Sequence, residues 1–369
     1  MSILTTRPAL RWVVPVAVVA VALTGGIAGR ALTADAQPAL PERSAAQLLV
    51  DLQTSSVAGL SGTVVQRADL GLPQLPISLG GQGSSDFTSL VSGTHTLRVW
   101  YAGQDRQRVA LLGTLGESDL VRNGRDGWTW SSQTNKATHI TLPAVGQEPD
   151  RPLPTDLPST PQQAADAALA AIDPSTVVST DGTATVAGRP AYELVLRPRD
   201  TASLVGQVRI AVDAEQKVPL RVRVFARDAA QPAIEIGFSQ LSFQTPGPEH
   251  FDFRPPAGAD VTEVSAADLA APPHPDAGAA GGPSVVGTGW TAVVVAAAPA
   301  PGSPAPSAGD GRDQGPQLDS LIATLPEVSG AWGHGRLLKS ALFSVLVTDD
   351  GRLIAGAVEP QRLYDVAGK

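Results

Sequence analysis

Five histidines stand in the chain: His95, His139, His250, His274 and His334. A histidine metal site asks for ligands at short, regular spacing, such as i and i+4 on one helix face. No two of these histidines meet that pattern, and nearly all read as surface residues. The chain has no cysteine, which removes disulfides, thiolate metal sites, cysteine nucleophiles and cysteine lipidation. It carries no G-x-S-x-G elbow, no phosphate loop and no dinucleotide fingerprint. Asp349 and Asp350 sit before Gly351 and read as a hairpin turn rather than a cation site. Two acids for glycoside chemistry can meet in space from anywhere in a chain, and nothing here marks a particular pair. No catalytic residue, metal ligand or cofactor is assigned on this reading, and the chain is expected not to be an enzyme.

What the residues do offer is a series of alternating apolar segments between Thr183 and Phe243. Tyr192, Leu194 and Leu196 alternate with Glu193; Val208, Ile210 and Val212 with Arg209. Leu220, Val222 and Val224 alternate with Arg221 and Arg223; Ile234, Ile236 and Phe238 with Glu235. A period of two marks a strand with one dry and one wet face. Short connections such as Asp213 to Gln216 predict an antiparallel meander. Arg209, Arg221 and Arg223 then form a ladder on the solvated face, with anionic headgroups as a lesser alternative partner.

The 369 residues carry a net charge of -8, against the basic stripe that a nucleic-acid partner needs. Hydrophobic residues make up 43% but aromatics only 4%, so Ala, Val and Leu must fill the core. Residues 1–36 read as a targeting segment: Arg7 and Arg11 precede the apolar run Trp12 to Gly29, and Ala34-Asp35-Ala36 fits a small-x-small cleavage pattern. A cleaved secretory signal and an uncleaved membrane anchor are both open, and both place the remainder outside the cytoplasm.

Leu40 to Gly59 is predicted helical, with Pro41 in its first turn and Ala45, Leu48, Leu49 and Leu52 on one face. A strand at Ser61 to Leu70 leads into a Gly-, Pro- and Ser-rich loop carrying Leu72, Leu75, Ile77 and Leu79. That loop either packs on the core or forms a lid over an apolar opening. Further strands are expected at Thr94–Tyr101, Gln107–Leu112, Asp119–Asn123, in the segment holding Trp128 and Trp130, and at Ala137–Leu142. A Pro-rich connection over 143–161 precedes a helix at Pro161 to Ile172. The expected domain runs over 37–264, followed by an Ala/Pro/Gly linker at 265–284. A small α/β module at 285–369 follows, with a low-complexity loop at 299–315. Its parts read as a strand at Gly287–Ala297, a helix at Leu318–Leu325, and strands at Gly335–Val347 and Arg352–Val358.

The helix RSAAQLLVDLQTSSVAGLSGTVVQ, the strands HTLRVWYAG and NGRDGWTW, and the later AGRPAYELVLRPRD, QVRIAVDAEQKVPLRVRVF and FDFRPPAGADV form a familiar set. Over residues 41 to 264 the chain resembles the LolA-like superfamily, which includes the outer-membrane lipoprotein carrier and the RseB/MucB-type sigma-E regulatory proteins. It is most similar to membrane-anchored actinobacterial members. The resemblance implies an α+β fold: an unclosed antiparallel half-barrel covered by short helices, with an apolar cavity for acyl chains and no catalytic residues. The possible anchor and the module at 285–369 depart from the free periplasmic carrier.

The resulting expectation is an extracytoplasmic binding protein, on the outer face of the cytoplasmic membrane or secreted to the cell envelope. Its concave face would hold acyl chains of a lipid or lipoprotein. Leu97, Val99, Tyr101, Trp128, Trp130, Leu194, Leu196, Ile210, Val222, Val224, Ile236 and Phe238 would face inward, with Leu72, Leu75, Ile77 and Leu79 as the lid. The cytoplasmic membrane is a partner through the N-terminal segment. The alternative is an RseB-like regulator docking on an anti-sigma factor or another membrane protein.

Overall fold

Two meanders flank a single central strand. The computed structural model describes residues 40–72, 84–142, 175–265, 284–298 and 322–369. The central strand is β1 (Leu60–Ala68). On one side lie β2 (Gly93–Tyr101), β3 (Arg106–Leu112), β4 (Glu117–Asn123), β5 (Asp126–Ser131) and β6 (Lys136–Thr141), in that order. On the other lie β11 (Pro232–Ser242), β10 (Pro219–Ala226), β9 (Val205–Asp213), β8 (Arg189–Pro198) and β7 (Thr176–Val186). All these neighbours pair antiparallel. A twelfth strand, β12 (Asp260–Ser265), lies outside β6 and runs parallel to it. The sheet does not close, because β12 and β7 remain its two edges. It does curl, since β7 touches β11 across the three strands between them. The architecture is an unclosed half-barrel of antiparallel strands with few, short helices.

Local chemistry explains the turns. Gly124 takes φ +63° in the Asn123–Asp126 hairpin, a left-handed angle that favours glycine. Between β9 and β10, Asp213 Oδ1 accepts from the backbone N–H of Glu215 at 2.9 Å and of Gln216 at 2.7 Å. Arg189 donates to both carboxylate oxygens of Asp213, at 2.5 and 3.1 Å. Burial works against the charge of Asp213, but these donors outweigh it and hold the carboxyl below its usual pKa.

Helix α1 (Ala45–Thr54) is shorter than the periodicity suggests. Ser44 accepts from the Gln47 N–H, and the Gln47 side chain accepts from the Ser44 N–H. This reciprocal cap fixes the start, so Pro41 precedes the helix instead of sitting in its first turn. Leu48 and Leu52 are buried, and α1 lies against β7. The predicted helix at 161–172, the apolar run at 12–29 and most of both low-complexity stretches lie outside the described residues. Among the described residues, no helix is long and apolar enough to cross a membrane.

A second sheet has six strands: β13 (Ser284–Val286), β14 (Val293–Ala297), β15 (Glu327–Gly330), β16 (Gly333–Lys339), β17 (Ser344–Thr348) and β18 (Arg352–Gly356). The expected strand at Gly287–Ala297 is interrupted, because Gly289–Thr291 forms a 3-10 turn. The expected strand at Gly335–Val347 is a hairpin, turned where the Ser340 hydroxyl donates to the Phe343 carbonyl. Helix α2 (Pro360–Ala367), absent from the sequence reading, buries Leu363 and Val366 against Val293, Leu346 and Ile354.

Both sheets belong to one compact unit, Arg43–Lys369. Leu204 N–H donates to the Ala357 carbonyl, and Ala341 N–H to the Leu70 carbonyl, each at 2.8 Å. Trp290 Nε1 donates to Thr176 Oγ1 at 2.7 Å. The contacts gather at one end of the large sheet, where β1, β8 and β10 finish.

Candidate functional site: the inner face and its cleft

Strand register decides which side chains share a face. Ile236 pairs with Val222, Val222 with Ile210, and Ile210 with Leu194. Val224 pairs with Val208, and Val208 with Leu196. Phe238 pairs with Val64 and Val64 with Leu97, which carries the row across β1. Val99 and Tyr101 follow Leu97 at spacings of two. Ten of the twelve predicted inward residues therefore share one face.

Trp128 and Trp130 do not. Val99 pairs with Val109, Val109 with Leu120, and Leu120 with Thr129. Thr129 therefore shares the inner face and the two tryptophans point to the other side. That side has its own cover, the segment after β11. Phe253 lies 5.4 Å from Trp128 and 6.1 Å from Trp130, and His250 stacks on Trp100 at 5.6 Å, all between ring centroids.

The inner face is apolar and already covered. Leu97, Leu194, Leu196 and Ile210 have no exposed surface, and Val99, Val222, Ile236 and Phe238 are buried. Tyr101 and Val224 are half-buried. Near β1 the cover is a 3-10 turn at Phe87–Val91, capped by Asp86. Gln66 Nε2 donates to the Leu90 carbonyl at 2.8 Å. His95 is buried, not at the surface; its Nε2 lies 2.8 Å from the Ser92 carbonyl and its Nδ1 3.5 Å from Ser89 Oγ. The turn is thus stapled by polar groups rising from an otherwise apolar row, a device that composition could not show.

A cleft of about 530 Å³ opens at the end of β1, beside this face. Its walls are Arg67–Leu72, Ser92–Thr94, and Gln231, Pro232 and Glu235. Ala68 continues the inner row of Val64 and Gln66 to the cleft, whereas Arg67, Thr94 and Glu235, in register with one another, line it from the opposite face. Leu72 lines it; Leu75, Ile77 and Leu79 lie outside the described residues. The Leu70 carbonyl bonded by Ala341 ties this rim to the second sheet.

The arginine ladder is not simply a solvated face. Glu193 is 6% exposed and gathers all three arginines: Arg209 at 2.8 Å, Arg223 in a closer pair, and Arg221 at 3.6 Å. Asp181 takes a second contact from Arg209 at 2.9 Å. These arginines lie over small residues of β8 and β9, where Ala191 and Ala211 are buried. Among the described residues, no group of three potential donors could hold a metal ion.

No protein-family model matches the chain, and no curated protein matches its sequence. Solved structures do resemble it. A complex of MucA and MucB from Pseudomonas aeruginosa is 16% identical, with a TM-score of 0.45, covering 88% of this chain and 96% of that one. A putative outer membrane lipoprotein-sorting protein domain from Vibrio parahaemolyticus is 13% identical, with a TM-score of 0.24, covering 56% of this chain and 97% of that one. A LolA superfamily protein from Nitrosomonas europaea is 11% identical, with a TM-score of 0.22, covering 57% and 99%.

Proposed function

We propose that this LolA-like chain is an extracytoplasmic binding protein that takes an acyl chain of a lipid or lipoprotein, and that the cleft at Arg67–Leu72 is where the chain enters. One observation carries the reading: an apolar inner face spanning β1–β2 and β8–β11, interrupted near β1 only by buried Gln66 and His95, reaches Ala68, which also lines that cleft. A volume of about 530 Å³ falls within the usual range of small-molecule pockets, roughly 300–1,000 Å³. Each methylene transferred from water to such a surface contributes about 0.8 kcal/mol. Because the deeper residues are already covered, the guest occupies the cleft first and goes further only as the cover gives way. Leu72 supplies an apolar side chain to the cleft rim.

The test is native mass spectrometry with solvent extraction, on full-length protein prepared without detergent. A stoichiometric lipid or lipopeptide is expected, and Leu72→Glu in a folded variant should lower retention at least tenfold. A clean apo mass with no uptake of offered lipids, or unchanged retention in Leu72→Glu, would sink the proposal.

The second reading is an envelope regulator that docks on an anti-sigma factor or a similar membrane protein. The bond between Ala341 and Leu70 favours it, because a partner gripping the second sheet would be coupled to the cleft rim. A membrane pull-down whose yield does not change between lipid-loaded and stripped protein would count against that coupling.

A further inference from the structure

The tryptophan side of β2–β6 carries chemistry that lipid binding does not use. The chain leaves β11, makes a 3-10 turn at Pro248–His250, crosses this side, and ends as the parallel edge strand β12. Phe251 is fully buried along the way, and Phe253 lies against Trp128 and Trp130. Beyond that point its side-chain anchors are polar. Asn135 Nδ2 donates to the Gly258 carbonyl at 2.9 Å. Opposite β12 stands His139 of β6, paired in register with Glu263.

Both ring nitrogens of His139 meet carboxylates. Nδ1 lies 2.6 Å from Glu263 Oε2 on β12, and Nε2 lies 3.1 Å from Asp126 Oδ1 on β5. A neutral imidazole has one N–H and donates once; only the imidazolium donates through both nitrogens. The ring also stacks on Trp128 at 4.3 Å, which suits a cation over an indole.

We propose that the segment from Gly247 to Ser265 is an acid-held strap, closed over the tryptophans while His139 is an imidazolium and loosened when that ring loses its proton. Deprotonation removes one donor, so His139 can donate to only one of Glu263 and Asp126 and one contact between strands is lost. The charges facing His139 are these two carboxylates, with Trp128 as the neutral neighbour. On the strap, Arg254 and Asp252 pair with each other at 3.2 Å and are exposed. Partial burial pulls the His139 pKa down, but the hydrogen bonds and charges of Glu263 and Asp126 outweigh it and raise it above the ordinary imidazole value. The contribution is therefore present at pH below about 6.5 and is lost as pH rises through the raised value.

A second group under the same strap runs in the same direction. Glu117 and Asp119 sit two apart on β4, and Arg108 of β3 contacts both, at 3.5 and 2.8 Å. Arg108 also reaches the His250 carbonyl at 3.5 Å. Asp119 is 1% exposed, and its Oδ2 accepts no hydrogen bond from the usual donors. A proton on Glu117 supplies that missing donor. Burial raises the Glu117 pKa, as do the charge of Asp119 and the hydrogen bond with it, against the pull of Arg108 and Arg98.

Hydrogen–deuterium exchange of the full chain tests this, with rates corrected for intrinsic pH dependence. Peptides over 248–265 should exchange on the order of fivefold faster at pH 8.5 than at pH 5.5, while peptides of β8–β10 stay level. His139→Gln should hold the strap at its fast rate at both values. Glu263→Gln, on the exposed edge strand, should do the same without disturbing the fold. A flat profile in the unaltered protein would overturn the proposal. So would an unchanged profile in His139→Gln, or a pH effect shared equally by β8–β10.

Discussion

Replacing Ile210 with Ala separates a packed inner face from an open one. Ile210 has no exposed surface and stands in register between Val222 and Leu194, both buried. The substitution removes three carbons, a transfer loss of about 2.4 kcal/mol at roughly 0.8 kcal/mol per carbon. The hydrogen bonds of β8 and β10 to β9 prevent the walls from collapsing, so a cavity term adds to it. The total should reach about 3–4 kcal/mol, inside the range of about 2–5 kcal/mol for such truncations. That is a large part of the roughly 5–15 kcal/mol by which domains are stable. Urea unfolding followed by far-UV circular dichroism should show a lower midpoint with an unchanged slope. A loss below about 1 kcal/mol would refute the packing argument, because it would mean that Ile210 borders space its neighbours do not fill.

Asp213→Asn should cost about 2–3 kcal/mol at pH 7, since Arg189 and two backbone donors lose their anion. The Asp213 carboxyl has a lowered pKa, so its stability is present above about 3.9 and is lost as pH falls further; the asparagine variant should show a flatter acid limb in denaturant titrations from pH 2 to 7. Gly62→Ala should destabilise by about 1–3 kcal/mol, because the new Cβ would lie 2.4 Å from the Gln240 carbonyl and 2.9 Å from the Phe238 ring. A thermal scan should show the loss, and an unchanged midpoint would mean that β1 and β11 separate more easily than their register implies.

The alternation in β8–β11 was legible because each strand has one clean apolar row, and pairing kept Leu194, Ile210, Val222 and Ile236 together. Trp128 and Trp130 misled because large aromatics suggest an inner core, while the face of β5 is set by register with β4. Local periodicity carries no information about that pairing. The strap was hidden for a related reason: β12 pairs with residues more than a hundred positions earlier, and its own side chains are mostly exposed. Helix α2 escaped notice because its eight residues are too few for a strong periodic signal, though Pro360 at its first turn is a start mark. The cleft could not be read at all, since three distant segments form its walls.

The placement of β1 also sets an order of assembly. Among the described strands it is made first, and β2 follows closely enough to pair with it early. Its other neighbour is β11, so that seam joins residues 61 and 242 and cannot form until the second meander has been synthesised. Pairings this remote in sequence slow folding, because a long loop must close before any contact rewards it. Until then β1 is the open edge of the first meander, with Val64 and Val65 near its middle, and such an edge invites pairing with another chain. Slowed production of the second meander should therefore favour aggregation, whereas a short pause after residue 242 should not.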